Sequence, residues 1–291
     1  MDLAVNADFH VPPGTVLSRY ILPVDASKAR EAALALKTTD PDWQVLDPRK
    51  LAGKVVPPTF STTSSFSWGR KEVFEQALGM DFGRGLHGST TWEFKRPVVV
   101  GDELSGELTF EGLERKRGRR GGDMRLFHVS CSFRDPSGAL VVTERFTFIE
   151  TSGWPTAEAL SPGDPHPATA PTGLGPGDRI YGPVTRTDIV RYAGACGDFS
   201  EIHHDEALAR ASGLPTVFAM GLFQGGLIGL HATESHPDRE LKSLSIRLVG
   251  RVWPNDHLVL AARDGGATSS ELKVSTLAGR TVVLGEAVFE R

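Results

Sequence analysis

The spacing of apolar residues changes along the chain, and each change predicts a different element. Residues 16–24 (VLSRYILPV) predict a strand. Residues 25–37 (DASKAREAALALK) place Ala and Leu at helical spacing behind Asp25 or Ser27 as N-cap. A turn-rich stretch, 38–60, contains Asp47-Pro48, an N-cap acid followed by proline at a first helical position. Residues 61–80 predict a second, longer helix. After Gly83 the pattern alternates, predicting strands at 89–96, 103–114, 124–135 and 139–150. Turns at Pro97 to Asp102, at 115–122 and at Pro136-Ser137-Gly138 divide them.

Residues 151–177 carry six prolines and no core pattern, the composition of a linker. Beyond them the same order returns. A strand is predicted at 179–184, and a helix at 187–196 with Thr187 or Asp188 at its start. A short helix over 206–212 follows with Asp205 as N-cap, then a long apolar helix over 221–234. Four strands complete the half, at 243–251, 257–263, 269–277 and 280–290. Sliding 35–63 onto 193–221 without a gap matches Ala35 to Ala193, Asp40 to Asp198, Asp47 to Asp205, Pro57 to Pro215 and Phe60 to Phe218. Pro254-Asn255-Asp256 stands where the first half has Val100-Gly101-Asp102. The chain therefore reads as a duplication, with repeats over 1–150 and 178–291. An α+β arrangement follows, in which a bent antiparallel sheet wraps one long helix in each half. Joining the two sheets edge to edge removes open strand edges. This is a double hot-dog.

The 291-residue length suits one large domain or two ordinary ones. With 40% hydrophobic and 23% charged residues the composition is that of a soluble globular protein. A formal charge of -4 and a pI near 6.1 argue against nucleic acid or an anionic membrane as the main partner. There is no apolar run of transmembrane length, and the N-terminus lacks the layout of a signal peptide. Two cysteines, Cys131 and Cys196, are too few for a disulfide framework or a zinc site, so a reduced cytoplasmic setting is expected. No metal-spaced His/Cys cluster, P-loop, dinucleotide fingerprint or GxSxG is present, and no cofactor or metal is expected. The run Arg115-Lys116-Arg117-Gly118-Arg119-Arg120 falls at a predicted hairpin tip, where a solvated charge cluster is ordinary.

Candidate chemistry concentrates in GDFSEIHH, 197–204. A lone Asp198 after a helix-ending glycine would be read as a turn cap, and the matching Asp40 supports that reading. His203 differs, because its counterpart is Val45 and the architecture does not require a histidine there. His204 and Asp205 carry less: the first is a neighbour, the second an N-cap matched by Asp47. Gly221 opens the long helix, where free N–H groups and the helix dipole favour negative charge. Close packing would explain a glycine there equally well.

The stretch YAGACGDFSEIHHDEALA followed by AMGLFQGG resembles the MaoC-like (R)-specific enoyl-CoA hydratase/dehydratase family of hot-dog proteins. VVPPTF and LHGSTTWEFKRPVVVGDEL resemble the dehydratase-like first repeat of its two-repeat members. The resemblance implies a catalytic pair at Asp198 and His203, an oxyanion-binding N–H at Gly221, and substrate contacts at Ser200, Met220 and Leu222. It departs from the family pattern where Ser200 and Glu201 replace Asn-Pro, and where Met220 replaces a His. It also implies a CoA or carrier-protein thioester as partner and a first repeat that leaves room for the acyl chain; exposed hot-dog sheet edges or faces leave a homodimer as one open oligomeric state. Two other readings stay open: a hot-dog thioesterase, with Glu234 as the one carboxylate on the long helix, and a non-catalytic acyl-binding subunit.

Overall fold

The computed structural model describes residues 11–65, 70–118, 122–152 and 174–290. β1 (Thr15–Pro23) leads into α1 (Ala26–Ala35), capped by the Asp25 carboxylate, which accepts the N–H groups of Ser27 and Lys28. The predicted helix over 61–80 is described as α2 (Phe60–Ser65) and α3 (Arg70–Leu78), with 66–69 outside the described residues. It ends before Gly79, whose φ of 56° favours glycine. β2 (Gly85–Phe94), β3 (Glu103–Gly118), β4 (Gly122–Arg134) and β5 (Leu140–Thr151) follow. The basic tip between β3 and β4 lies partly outside the described residues, as does most of the expected linker.

The second half runs β6 (Arg179–Tyr181), α4 (Arg186–Cys196), α5 (Glu206–Ala211), α6 (Gly221–Glu234), then β7 (Leu241–Leu248), β8 (Leu258–Asp264), β9 (Ser269–Thr276) and β10 (Thr281–Phe289). The cap of α4 is not Thr187 or Asp188 but Thr185. Its hydroxyl accepts the Asp188 N–H, while Asp188 accepts the Thr185 N–H in return. The T-x-x-D pattern is a capping box displaced two residues upstream of the expected start.

The ten strands form one sheet in the order β1-β3-β4-β5-β2-β7-β10-β9-β8-β6, which reads the same in both repeats from the centre outward. β2 and β7 join the halves antiparallel, with Thr91 opposite Ser245. Those two residues are 154 positions apart, as are Gly101 and Asn255, which both hold positive φ in matching turns. In those turns Asp102 accepts the Val99 N–H and Asp256 the Trp253 N–H. The pseudo-twofold axis therefore passes through the β2–β7 seam. Joining the sheets covers only the inner edges; β1 and β6 remain as outer edges, a correction to the expectation of an edgeless sheet.

α6 is buried from Leu222 to Ala232. Gly221, Gly225 and Gly229 face Leu248, Ile246 and Leu244 of β7 in turn. Four helical residues advance about 6 Å and two strand residues about 6.6 Å, so the two periods stay nearly in step. A Cβ at Gly225 would overlap Ile246 Cδ1, and one at Gly229 would stand 2.9 Å from Leu244 Cδ2. Among the described residues no helix is long and apolar enough to cross a membrane.

Gly225→Ala is expected to destabilise the protein by about 1–2 kcal/mol in urea denaturation, because overpacking outweighs the gain in helix propensity. Ile246→Val removes the clashing methyl, so the double variant should lose less than the sum of the single ones. Simple additivity would contradict this packing.

Candidate functional site

α4 ends on Gly197 in the left-handed conformation (φ 79°), its N–H bonded to Ala193 O at 2.8 Å. The chain turns sharply there and presents Asp198. One carboxylate oxygen, Oδ1, accepts the Ser200 N–H at 3.3 Å. A single 3-10 turn, Glu201–His203, then brings His203 back over Asp198. His203 Nδ1 lies 2.8 Å from the Phe218 carbonyl oxygen, and its ring packs edge-on against the Phe218 ring at 4.8 Å. A carbonyl only accepts, so Nδ1 carries the proton and Nε2 of the neutral ring offers a lone pair. Nε2 stands 4.0 Å from Asp198 Oδ2.

Two acceptors at that distance do not bond each other. A separation of 4.0 Å is one that a single bridging water would span with arms of about 2.8 Å. Burial pushes the His203 imidazole below its ordinary 6.5, while the Asp198 charge and the Phe218 hydrogen bond recover part of the shift. The ring is thus neutral at neutral pH, with its side chain 11% exposed. Cys196, next to this turn, is not a nucleophile: burial and the Asp198 charge push its thiol well up.

The matching turn in the first half shows what is general and what is special. Asp40 Oδ1 accepts the Asp42 N–H at 3.0 Å, the same turn bond. Its other oxygen, Oδ2, pairs with Lys54 at 2.6 Å. Val45, at the His203 position, packs against the core. A cavity of about 590 Å³ adjoins Asp40, Phe60, Ser61, Phe94 and Pro97. These correspond to Asp198, Phe218, Ala219, Leu248 and Arg251 in the second half.

Asp198, Ser200, His203, Gly221 and Leu222 all line one cavity of about 220 Å³. Met220 does not. Its side chain is 1% exposed within the core, where it precedes α6 without capping it. The expectation that Met220 touches substrate is corrected accordingly. Gly221 and Leu222 carry the first N–H groups of α6, ahead of intrahelical bonding. Tyr192 of α4 fixes that turn by donating its hydroxyl to Leu222 O at 2.9 Å. A Cβ at Gly221 would overlap Leu248, as the packing reading expects, and the residue also lines the cavity.

Other lining residues escaped the sequence reading. Phe82, His87 and Phe148 come from the first half, and only long-range folding brings them here. Gln224 stood in plain view as the one polar residue in GLFQGGLIGL. Arg251 occupies the place of Pro97 when the turns are superposed, with Gly250 in place of Arg96. Arg96 bonds Asp102, and the equivalent Asp256 is instead met by Arg280 at 3.2 Å. The Arg251 guanidinium lies 5.4 Å from the Phe218 ring centroid. Burial lowers its pKa to about 10, so it stays charged at neutral pH.

Glu234, the carboxylate that a thioesterase reading needs, sits at the far end of α6 against the larger cavity. It accepts from the Thr38 hydroxyl (2.7 Å), the Thr39 N–H (2.8 Å), the Thr39 hydroxyl (2.6 Å) and Arg179 (3.0 Å). Burial alone would raise its pKa, but the Thr39 and Thr38 hydrogen bonds and the Arg179 charge hold it below the usual range. It ties the halves together and has no lone pair to spare for a nucleophilic water. Among the described residues no group of three or more His, Cys, Asp or Glu is placed to hold a metal ion.

If Val45 is a fair guide, His203→Val should fold and lose no more than about 1 kcal/mol, the worth of one hydrogen bond. Thermal unfolding checks this, and loss of a cooperative transition would contradict it.

Comparison with known proteins agrees with this geometry. Residues 13–144 match a model of the FAS1-like dehydratase domain region, and 168–286 match a model of the MaoC-like domain. A UPF0336 protein of Clavibacter michiganensis is 31% identical over 148 residues, which span 48% of this chain and 96% of that protein. A MaoC-like dehydratase from Phytophthora capsici superposes with a TM-score of 0.72 at 16% identity, covering 96% of each chain. A Mycobacterium tuberculosis protein described as a double hotdog gives 0.61 at 14% identity, covering 96% of this chain and 97% of that one. The chain thus joins a FAS1-like dehydratase region in its first half to a MaoC-like domain in its second, within one continuous double hot-dog sheet.

Proposed function

We propose that this protein adds water across the C2–C3 double bond of a trans-2-enoyl thioester, a CoA ester by preference, and catalyses the reverse dehydration. The observation that carries the reading is the pair of acceptors 4.0 Å apart, Asp198 Oδ2 and His203 Nε2, in a cavity also lined by Gly221 and Leu222, the first residues of α6. Water held by both acceptors keeps a lone pair free to attack C3. Its proton passes to the pair as the C3–O bond forms. The electrons of the double bond move onto the thioester oxygen, where the Gly221 N–H and the helix dipole stabilise the charge. The pair then returns one proton to C2 as the enolate collapses. The adduct is the 3-hydroxyacyl thioester, of (R) configuration by the family resemblance. Phe82, His87 and Phe148 support the expected pocket-wall role of the first half.

Ser200 supports the reading too. The family's Asn-Pro is replaced here, yet the backbone of Ser200 still satisfies Asp198 Oδ1. The turn thus needs neither missing side chain. A thioesterase is disfavoured by the saturated hydrogen bonding of Glu234.

Asp198→Asn and His203→Ala should each lower kcat/KM for crotonyl-CoA by about 10²–10⁴-fold, the range for a lost general acid–base group. Full activity in either variant would remove that residue from the mechanism. Because His203 must be neutral to accept a proton and burial lowers its pKa, kcat/KM should be level above pH 6.5 and fall only below it. A pH–rate profile with its acid limb centred above 6.5 would contradict that assignment.

A further inference from the structure

One polar group in the cavity has no part in the reaction just described. Gln224 is 1% exposed, lies within the apolar run of α6 and lines the same wall as Gly221 and His203. Among the described residues its Oε1 has no hydrogen-bond partner. Burying an amide oxygen unpaired costs free energy that a Leu or Met at that position would not incur. His87, which the first half brings to the same cavity, is already bonded to Thr90.

The position of Gln224 says what passes it. Residues i and i+3 share a helix face, so Gln224 stands on the same face as Gly221, about 4.5 Å further along the axis. With the thioester oxygen at the Gly221 N–H, the amide lies beside the carbons that follow the reacting C2–C3 bond. The cavity, at about 220 Å³, is smaller than the roughly 300–1,000 Å³ of typical small-molecule sites, which favours a short chain.

We infer that Gln224 is a specificity-determining residue, and that the substrate is a short 2-enoyl thioester carrying a hydroxyl group on C4 to C6. That hydroxyl donates to Oε1. A plain hydrocarbon chain leaves the oxygen unpaired, and a carboxylate, which has no proton to give, does not satisfy it either. Hydration of such a substrate consumes one water and yields a dihydroxyacyl thioester with no other change in composition. The inference rests on the hydratase reading above for its reaction, though not for its hydrogen bond.

The test compares 5-hydroxy-trans-2-hexenoyl-CoA with trans-2-hexenoyl-CoA, equal in chain length, on wild-type protein and on Gln224→Leu. The expected result is a kcat/KM ratio of at least about tenfold in favour of the hydroxylated ester, since a site built to bond a hydroxyl discriminates against its absence. In Gln224→Leu the ratio should collapse toward one, with the loss mostly in KM for the hydroxylated ester. A wild-type ratio near one, or a ratio unchanged in the variant, overturns the inference. Should Gln224→Leu lose its fold by circular dichroism, Gln224→Met, closer in length, carries the comparison. If wild type turns over neither ester, the hydratase reading fails, and calorimetry still decides the role of the amide. Tighter binding of the hydroxylated ester that is lost in the variant upholds the hydrogen bond, and equal affinities refute it.

Discussion

The contact on which the rest of the molecule depends is the line of glycines along α6 pressed against β7. Leu248, Ile246 and Leu244 occupy space that a Cβ on Gly221, Gly225 or Gly229 would need. The helix therefore sits close on the sheet, and its N-terminus is fixed beside the end of β7. Because β7 pairs with β2 across the pseudo-twofold seam, the same contact draws the start of β2 and its neighbour Phe82 into the site. The packing glycine and the glycine proposed to bind the oxyanion are one residue, for one steric reason. Deleting the side chain lets the backbone approach, and the approach carries the first N–H groups of the helix to the cavity.

The duplicated turn differs between the halves in one respect that bears on the proposed chemistry. Both halves use one aspartate oxygen to fix the turn, at Asp40 and at Asp198. They differ in the fate of the second oxygen. In the first half Lys54 neutralises it at 2.6 Å and also reaches Asp42. In the second half it faces an imidazole nitrogen at 4.0 Å. The Phe218 carbonyl sets the tautomer that makes Nε2 an acceptor.

Much of this was legible in the sequence because it rests on local rules. The 221–234 helix has the bounds that the apolar run gave, Asp25, Asp47 and Asp205 cap where expected, and the alternating stretches are the strands. The start of α4 was misplaced by two residues because Thr185 and Asp188 cap each other, and the pattern does not say which of several polar residues closes the box. The Asp198–His203 pair was visible through its missing counterpart at Val45. Met220 was misassigned because adjacency to Gly221 in sequence is not adjacency to the cavity: the residue before a helix can turn its side chain into the core. His87 and Phe148 were beyond reach, since they pair with each other and join the site only through the seam between β2 and β7, where Thr91 meets Ser245.

One measurement separates this account from its rivals most directly. If one water, held by one pair on one face, supplies both the oxygen for C3 and the means of protonating C2, both additions come from the same side. Hydration of crotonyl-CoA in deuterium oxide, followed by proton NMR of the 3-hydroxybutyryl product, reads the relative configuration at C2 and C3. The account predicts a single diastereomer with deuterium and hydroxyl added to the same face. Addition to opposite faces, or a mixture of diastereomers formed at the first turnover, would contradict it.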